Sequence, residues 1–521
     1  MGYASDALPQ LGDDEAISIL EEKKLGARIA REIYRDPDYI DDPVISAYVQ
    51  RIWQPLLTAA KRRGDISAEQ KQLPWEIMIG KDRSINAFAL PGGYFGVHLG
   101  LIAAVNTRDE LASVLAHELA HVSQRHIARR ISKQNAQAPW VLGALILGAL
   151  AASKNPQAAS AVVTGSQAVS VQNQLNFSRD MEREADRIGF SILQEAGMDV
   201  RGFTGMFDRL QAANRINDNG SFPYLRSHPL TTERLGDMQS RLQLLPASPA
   251  PTLGQQAEHA LIATRARLLA DSSQDALRTE LTQAAAALRN PLTQDASNSQ
   301  RIRLAAQLYG GAFAALKVSD SANALRYAHA AREALNLKGF TTLAGIEYAQ
   351  NAIELIVVEI ALNLSQAAGQ ANVEPLHSAA QTALRRLAQG SPPTSLRGER
   401  GSLLAWAQLA QTGILPDSAG QRTQAMDALQ THLALQPRDA LAWQALAALH
   451  EVQGQTLRSL RAQAEARVAL LDYGAALDRL KAAQDWARSN NANHIDASII
   501  DTRVRAMQAL VREQALERDR P

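Results

Sequence analysis

The sequence predicts a mainly α protein, an α+β domain with a small sheet followed by an all-α domain of helical repeats. Three observations carry this. Strand-type alternation around a Pro-Gly-Gly turn lies between residues 74 and 102. Elsewhere apolar residues recur at helical spacing. Prolines and small residues then gather in "LLPASPAPTLG", residues 244–254, and beyond it the chain is rich in Ala and Leu. The expected organisation is a flexible start over 1–14, a first domain over 15–245, a linker over 246–254 and a repeat domain over 255–521.

Taken in order, "AISILEEKKLGARIAREIY" and "VISAYVQRIWQPLLTAA" carry the helical period within residues 15–62. "PWEIMIGKD" switches to alternation, and "INAFALPGGYFGVHLGLI" places β-type residues on both sides of its turn, together a small sheet. A helix follows from about residue 107. "NFSRDMEREADRIGFSILQEAG" is a further amphipathic helix with a Gly stop, and "YLRSHPLTTERLGDMQSRL" gives a loop, a His-Pro and another helix. In the C-terminal part, Ala425, Leu429 and Pro437, then Trp443 and Leu446, then Asp472, Tyr473, Ala476, Leu480 and Ala483 fit a 34-residue tetratricopeptide pattern. Trp406 and Leu409 fit it with a three-residue insertion; residues 255–400 are helical without a clear phase.

The bulk numbers narrow the function. At 521 residues the chain allows two to four domains, and 46% apolar with 21% charged residues supports sizeable cores. With 54 basic and 53 acidic residues and no dense basic block, nucleic acid is excluded as a partner class. Cysteine is absent, so a bound metal must use His and carboxylate ligands. "MGYASDALPQ" lacks a secretory signal, yet Gly2-Tyr3-Ala4 resembles the end of a cleavage site; the expectation is an exported protein whose signal is removed, against an ordinary disordered start. The apolar run Trp140–Ala152 in "PWVLGALILGALAA" (139–152) would reach only about 20 Å as a helix, short of the roughly 30 Å of a bilayer core. It is either a buried core helix or a flap that touches a membrane surface or an apolar substrate.

The chemistry concentrates in "LASVLAHELAHVSQRH", residues 111–126. His117, Glu118 and His121 form H-E-x-x-H, and residues four apart lie about 40° from each other on a helix, so both imidazoles share a face. Neutral imidazoles suit Zn²⁺, while Glu118, offset by about 100°, stands beside the metal as a general base for water. The neighbours Leu115, Ala116, Leu119, Ala120 and Val122 make the helix a buried one, where unpaired His and Glu would be costly. A third ligand must come from elsewhere, because Gln124 and Ile127 occupy the positions where a metzincin has Gly and His. His126, about 140° around the helix from His121, is expected on a polar face. The best candidate is Glu182 in "MEREADRIG", which with Asp186 flanks an apolar face of Met181, Ala185, Ile188 and Ile192. Asp186 then accepts from an imidazole N–H, and Glu184 sits on the solvent side with Arg183 and Arg187. The plainer alternative is a salt-bridged surface helix. His228, before Pro229, can donate to an oxyanion or bind an open metal position, against an ordinary loop histidine.

These stretches, "INAFALPGGYFGVHLGLI", "ELASVLAHELAHVSQRH" and "NFSRDMEREADRIG", resemble the gluzincin peptidase family that includes HtpX and the CAAX prenyl endopeptidases. With C-terminal repeats, the chain is most similar to its periplasmic group acting in outer-membrane β-barrel assembly. The resemblance implies a gluzincin-type metallopeptidase domain over about residues 15–245, with one Zn²⁺ held by His117, His121 and Glu182 and Glu118 as base. It implies that His228 can take the open zinc position from a plugging loop, as a fourth ligand. It implies that Ala87, Phe88, Ala89, Leu90, Pro91, Gly92 and Gly93 form an edge strand to which an extended substrate adds. Partners implied are unfolded or stalled outer-membrane proteins and the barrel assembly machinery, reached through the repeats. Two functions follow: a zinc endopeptidase of the periplasm, and a chaperone or scaffold in which proteolysis is rare or gated.

Overall fold

The computed structural model describes residues 17–133, 178–216, 223–244, 251–293, 295–336, 344–367, 374–388, 399–490 and 493–518. Residues 1–14, most of the 246–254 linker and the apolar segment 139–152 therefore lie outside the described residues or largely so. Among the described residues the fold is mainly helical with one small four-stranded sheet.

The chain opens with α1 (Ile19–Arg35), started by a capping box in which Ser18 and Glu21 satisfy each other's backbone N–H groups. After β1 (Tyr39–Ile40), α2 (Pro43–Arg63) starts at Asp42, whose carboxylate accepts from Val44 and Ile45 N–H, and ends at Gly64 with φ 83°. β2 (Glu76–Gly80), β3 (Ala87–Leu90) and β4 (Tyr94–His98) complete a sheet of order β1-β2-β4-β3. β2 runs parallel to β4, and β3 is an antiparallel edge strand. The two-residue β1 lacks any alternation long enough to mark it in sequence. "LGLI", read with the strands, is instead helical in α3 (Leu99–Ala104). Its four apolar residues are all buried, so a period-two pattern had no solvent face to show.

The metal-motif helix is α4 (Arg108–Ser123), capped by Thr107, and α5 (His126–Lys133) follows after a break. Then come α6 (Arg179–Glu195), α7 (Arg201–Ile216), the short α8 (Pro223–Ser227) and α9 (Thr232–Gln243). α4 packs against α6, α7, β3 and α2. Trp53 anchors the core beneath the sheet, its ring edge-on to Phe95 at 4.7 Å and its N–H donating to Trp75 O at 3.0 Å.

The remaining chain is helical: α10 (Leu253–Ala270), α11 (Gln274–Arg289), α12 (Asn298–Lys317), α13 (Ser321–Ala334), α14 (Ile346–Ala367), α15 (Glu374–Leu387), α16 (Arg400–Thr412), α17 (Ser418–Leu435), α18 (Ala440–Val452), α19 (Thr456–Ala469), α20 (Tyr473–Ser489) and α21 (His494–Arg518). From α11 onward consecutive helices pack on one another, while α10 packs on α12 and α14; Ala425, Leu429, Leu446, Ala476, Leu480 and Ala483 lie buried in the later helices. Leu253 and Gly254 already belong to α10, which packs against α3, α2 and α4, so one continuous hydrophobic cluster runs from Val44 to Ala462. Polar joints cross the same contact. His259 accepts from or donates to Tyr48 OH at 2.7 Å and meets Val105 O at 3.0 Å, and Arg265 grips the Asp42 carboxylate at 2.6–2.9 Å. Arg400 reaches Asp41 at 2.8 Å and Asp439 at 2.7 Å.

Candidate metal centre

α4 and α6 bring the chemistry together because α6 can lie almost against the backbone of α4. At Gly189 a Cβ would stand 3.0 Å from Ala116 O and 3.0 Å from His117 N, so only glycine leaves this room. Glu182 is seven residues earlier, two turns along the same face, and so faces His117 and His121. Ser178 caps α6, accepting from Met181 N–H, and Glu182 sits near that positive helix end.

His117, His121, Glu182 and His228 each offer a ligand atom, all within 4.8 Å of one another and all buried. His117 Nε2 is 3.0 Å from His121 Nε2 and 3.3 Å from His228 Nδ1. Glu182 Oε1 is 3.0 Å from His228 Nδ1 and 3.5 Å from His121 Nε2. Tetrahedral zinc bonds of about 2.0–2.1 Å put neighbouring ligand atoms about 3.3–3.4 Å apart, which these separations straddle. Both Glu118 oxygens are buried and accept no hydrogen bond among the described residues. Such orphaned acceptors are what a cation and its water would satisfy. The donor set, two imidazoles and a carboxylate with a third imidazole, fits a divalent ion of the zinc type.

Around these atoms lies a second ring of contacts. Asp186 Oδ1 takes the His117 Nδ1–H at 2.9 Å. Arg234, from the first turn of α9, holds Asp186 through Nε and Nη2 at 2.6 and 2.8 Å, pairs with Glu182 Oε2 at 2.8 Å, and donates to Pro229 O at 2.9 Å. Burial opposes charge on His117, yet its bonds to Asp186 and Glu182 outweigh that and hold its pKa up at about 9. Burial pushes His121 well below the ordinary histidine value. It would raise Glu182, but His228 beside it and bonds from His117 and His121 hold that carboxyl well below its usual range.

His228 sits at the end of α8, its N–H bonded to Tyr224 O at 2.9 Å and its ring stacked on Tyr224 at 4.6 Å. Its Nε2 is 3.4 Å from Glu118 Oε1, so the ring spans the cluster from the metal side to the base. β3 runs beside α4 and pairs only with β4 among the described residues. Of the seven residues expected to form a substrate strand, Ala87–Leu90 are strand, whereas Pro91, Gly92 and Gly93 form a buried turn. Those three therefore lie outside the strand itself: a Cβ at Gly92 would meet Glu22 O of α1 at 2.6 Å, and one at Gly93 would meet Leu73 Cβ at 2.9 Å.

His126 is also corrected. It is fully buried, 2.9 Å by Nδ1 from His121 Nδ1 and 3.1 Å by Nε2 from Glu184 Oε2. The helical angle count fails because α4 ends at Gln124 and Arg125 takes φ 53°, which swings the chain back beneath His121. Glu184 accordingly faces His126 and Arg129 rather than standing free beside Arg183 and Arg187. Arg234 was missed altogether. Its burial and its acidic partners appear only in the fold, where two carboxylates offset a cation placed in the first turn against the helix dipole.

With this geometry in place, similarity to known proteins becomes informative. Residues 46–242 match the profile of peptidase family M48. A putative β-barrel assembly-enhancing protease of Vibrio cholerae is 35% identical over 272 residues, 51% of this chain and 54% of that one. The β-barrel assembly-enhancing protease of Escherichia coli K12 is 32% identical over 244 residues, 46% of this chain and 47% of that one. The mitochondrial metalloendopeptidase OMA1 of Schizosaccharomyces pombe is 28% identical over 225 residues, 41% of this chain and 60% of that one. The alignments with the two assembly-enhancing proteases span about half the length of each. Every residue of the cluster, its carboxylate Asp186 and its arginine Arg234 fall inside the stretch that matches peptidase family M48.

Proposed function

We propose that the chain is a zinc-dependent endopeptidase of the periplasm that serves the quality control and assembly of outer-membrane β-barrel proteins. The observation that carries the reading is the buried cluster of His117, His121, Glu182 and His228 with the unpartnered carboxylate of Glu118 beside it. His117, His121 and Glu182 would hold the ion, with Asp186 orienting His117. A bound zinc ion supplies Lewis acidity and brings the pKa of a water to near 7. Glu118 takes the proton of the attacking water and passes it to the leaving amine, as general base and then general acid. An extended substrate adds to the open edge of β3 at Ala87–Leu90, which places its backbone over α4. His228 fills the remaining position in the resting protein and, once withdrawn, can donate from Nε2 to the oxyanion.

The substrate class and site of action are supported by the names of the assembly-enhancing relatives. Tetratricopeptide-like repeats over the C-terminal helices would recruit the assembly machinery or the client on a concave surface. The segment 139–152 would add any peripheral membrane contact. A second reading has its own support: His228 stands within 3.3 Å of His117 and 3.0 Å of Glu182, and a histidine occupying the site from there would favour a chaperone or scaffold whose proteolysis is gated. Metal content and casein cleavage of the wild type, Glu118→Gln and Glu182→Ala test the proposal. Glu118→Gln should keep zinc and lose about 10²–10⁴-fold in rate, and Glu182→Ala should lose zinc. Zinc retained by Glu182→Ala would remove Glu182 from the ligand set, and a cellular phenotype that survives Glu118→Gln would favour the scaffold.

A further inference from the structure

His126 lies outside the four-donor cluster, yet no side chain in the site is more deeply buried. Its position is built rather than incidental. The left-handed Arg125 that ends α4 is tied to α1, its Nε donating to Glu22 Oε1 at 2.7 Å and its guanidinium also meeting the Ile17 carbonyl. That tether returns the chain so that His126 Nδ1 faces His121 Nδ1 at 2.9 Å while Nε2 faces Glu184 Oε2 at 3.1 Å. Arg129 Nη1 donates to the same carboxylate oxygen at 3.0 Å.

We infer that His126 is a positioning residue that sets the tautomer of His121, with Glu184 fixing the direction of the chain. This rests on the metal-centre reading above and deepens it. An ionised carboxylate only accepts, so the His126 proton resides on Nε2 and its Nδ1 is a bare acceptor. His121 must then carry its own proton on Nδ1, which leaves Nε2 with a free lone pair, the atom 3.0 Å from His117 Nε2. The reverse order would put a proton on His121 Nε2 and block it as a ligand. The two histidine ligands are thus oriented by different means. His117 leans on the Asp186 carboxylate, itself locked by Arg234, whereas His121 leans on a neutral imidazole backed by a half-exposed carboxylate.

The test measures zinc affinity of the full chain against a competing chelator, beside the melting temperature of the metal-free protein. His126→Phe keeps the ring's bulk and removes the acceptor; its zinc Kd should weaken by about 10- to 100-fold. A merely structural residue would lower the metal-free melting temperature and leave the Kd of the folded fraction unchanged, which would overturn the inference. Should His126→Phe not fold, Glu184→Ala on the outer side of α6 carries the same test, with roughly threefold or greater weakening expected and unchanged affinity refuting it. A wild type that takes up no zinc would instead overturn the metal-centre reading itself, so the two failures are distinguishable.

Discussion

Replacing Arg234 with Met should destabilise the metal-free protein substantially. The Arg234 side chain is 4% exposed and its partners Asp186 and Glu182 are each 1% exposed, so the variant leaves two carboxylates buried beside each other without the guanidinium that bridges them. Removing one partner of a buried ion pair costs about 3–5 kcal/mol. With an unfolding entropy of about 2.1 cal/mol/K per residue, a unit the size of the whole chain would melt about 3–5 °C lower, and a peptidase domain melting alone about 6–10 °C lower. The size of the shift therefore also reports whether the two halves unfold together. Asp186 and Glu182 both have pKa values held below the usual range, so their contribution is present above the unfolded values and is lost as pH falls through the folded ones. The gap between wild type and variant should accordingly close toward acid. Calorimetry of chelator-treated protein at pH 7 and near pH 4 reads both effects, and a shift under about 1 °C at pH 7 would refute the argument.

Other outcomes follow from the same contacts. His228→Ala should raise casein cleavage; a site closed nine-tenths of the time would gain about tenfold, and lost activity would assign His228 to catalysis instead. Gly189→Val forces a side chain onto the α4 backbone and should cost about 1–3 kcal/mol while weakening zinc binding, read by thermal melts and chelator competition; wild-type zinc affinity would deny that this contact sets the Glu182 position. In the helical half, burial raises Glu354 to about 7 despite Arg332 beside it. A raised carboxyl contributes stability that is full below its unfolded pKa and is lost as pH rises through about 7, so urea midpoints of wild type should fall from pH 5 to pH 8 relative to Glu354→Gln, by up to roughly 3 kcal/mol. Parallel pH profiles for the two proteins would contradict this.

The helices were legible wherever one face met solvent, as in α1, α2 and α6, because their apolar period is then visible. α3 was not, since burial on all sides erases the period. H-E-x-x-H was readable because its geometry is internal to one helix. His126 was misplaced because a single left-handed residue reset the angular count, and sequence alone does not mark Arg125 for that conformation. The bond of Arg234 to residues about fifty positions earlier is invisible without the fold, as are the Asp42 and Tyr48 contacts that cross into the later helices.

Those crossing contacts bear on how the molecule can be taken apart. A cut between α9 and α10 would not free two proteins. The apolar faces of α2 and α3 would still be filled by α10, and Asp42, the cap of α2, would still be held by Arg265. A chain ended at Gln243 would present those faces and an unpaired Tyr48 hydroxyl to water, and should be recovered as an aggregate unless residues 251–518 are supplied beside it. The helical half thus acts as a built-in folding template for the elements around α4, and one half is not free to swing against the other.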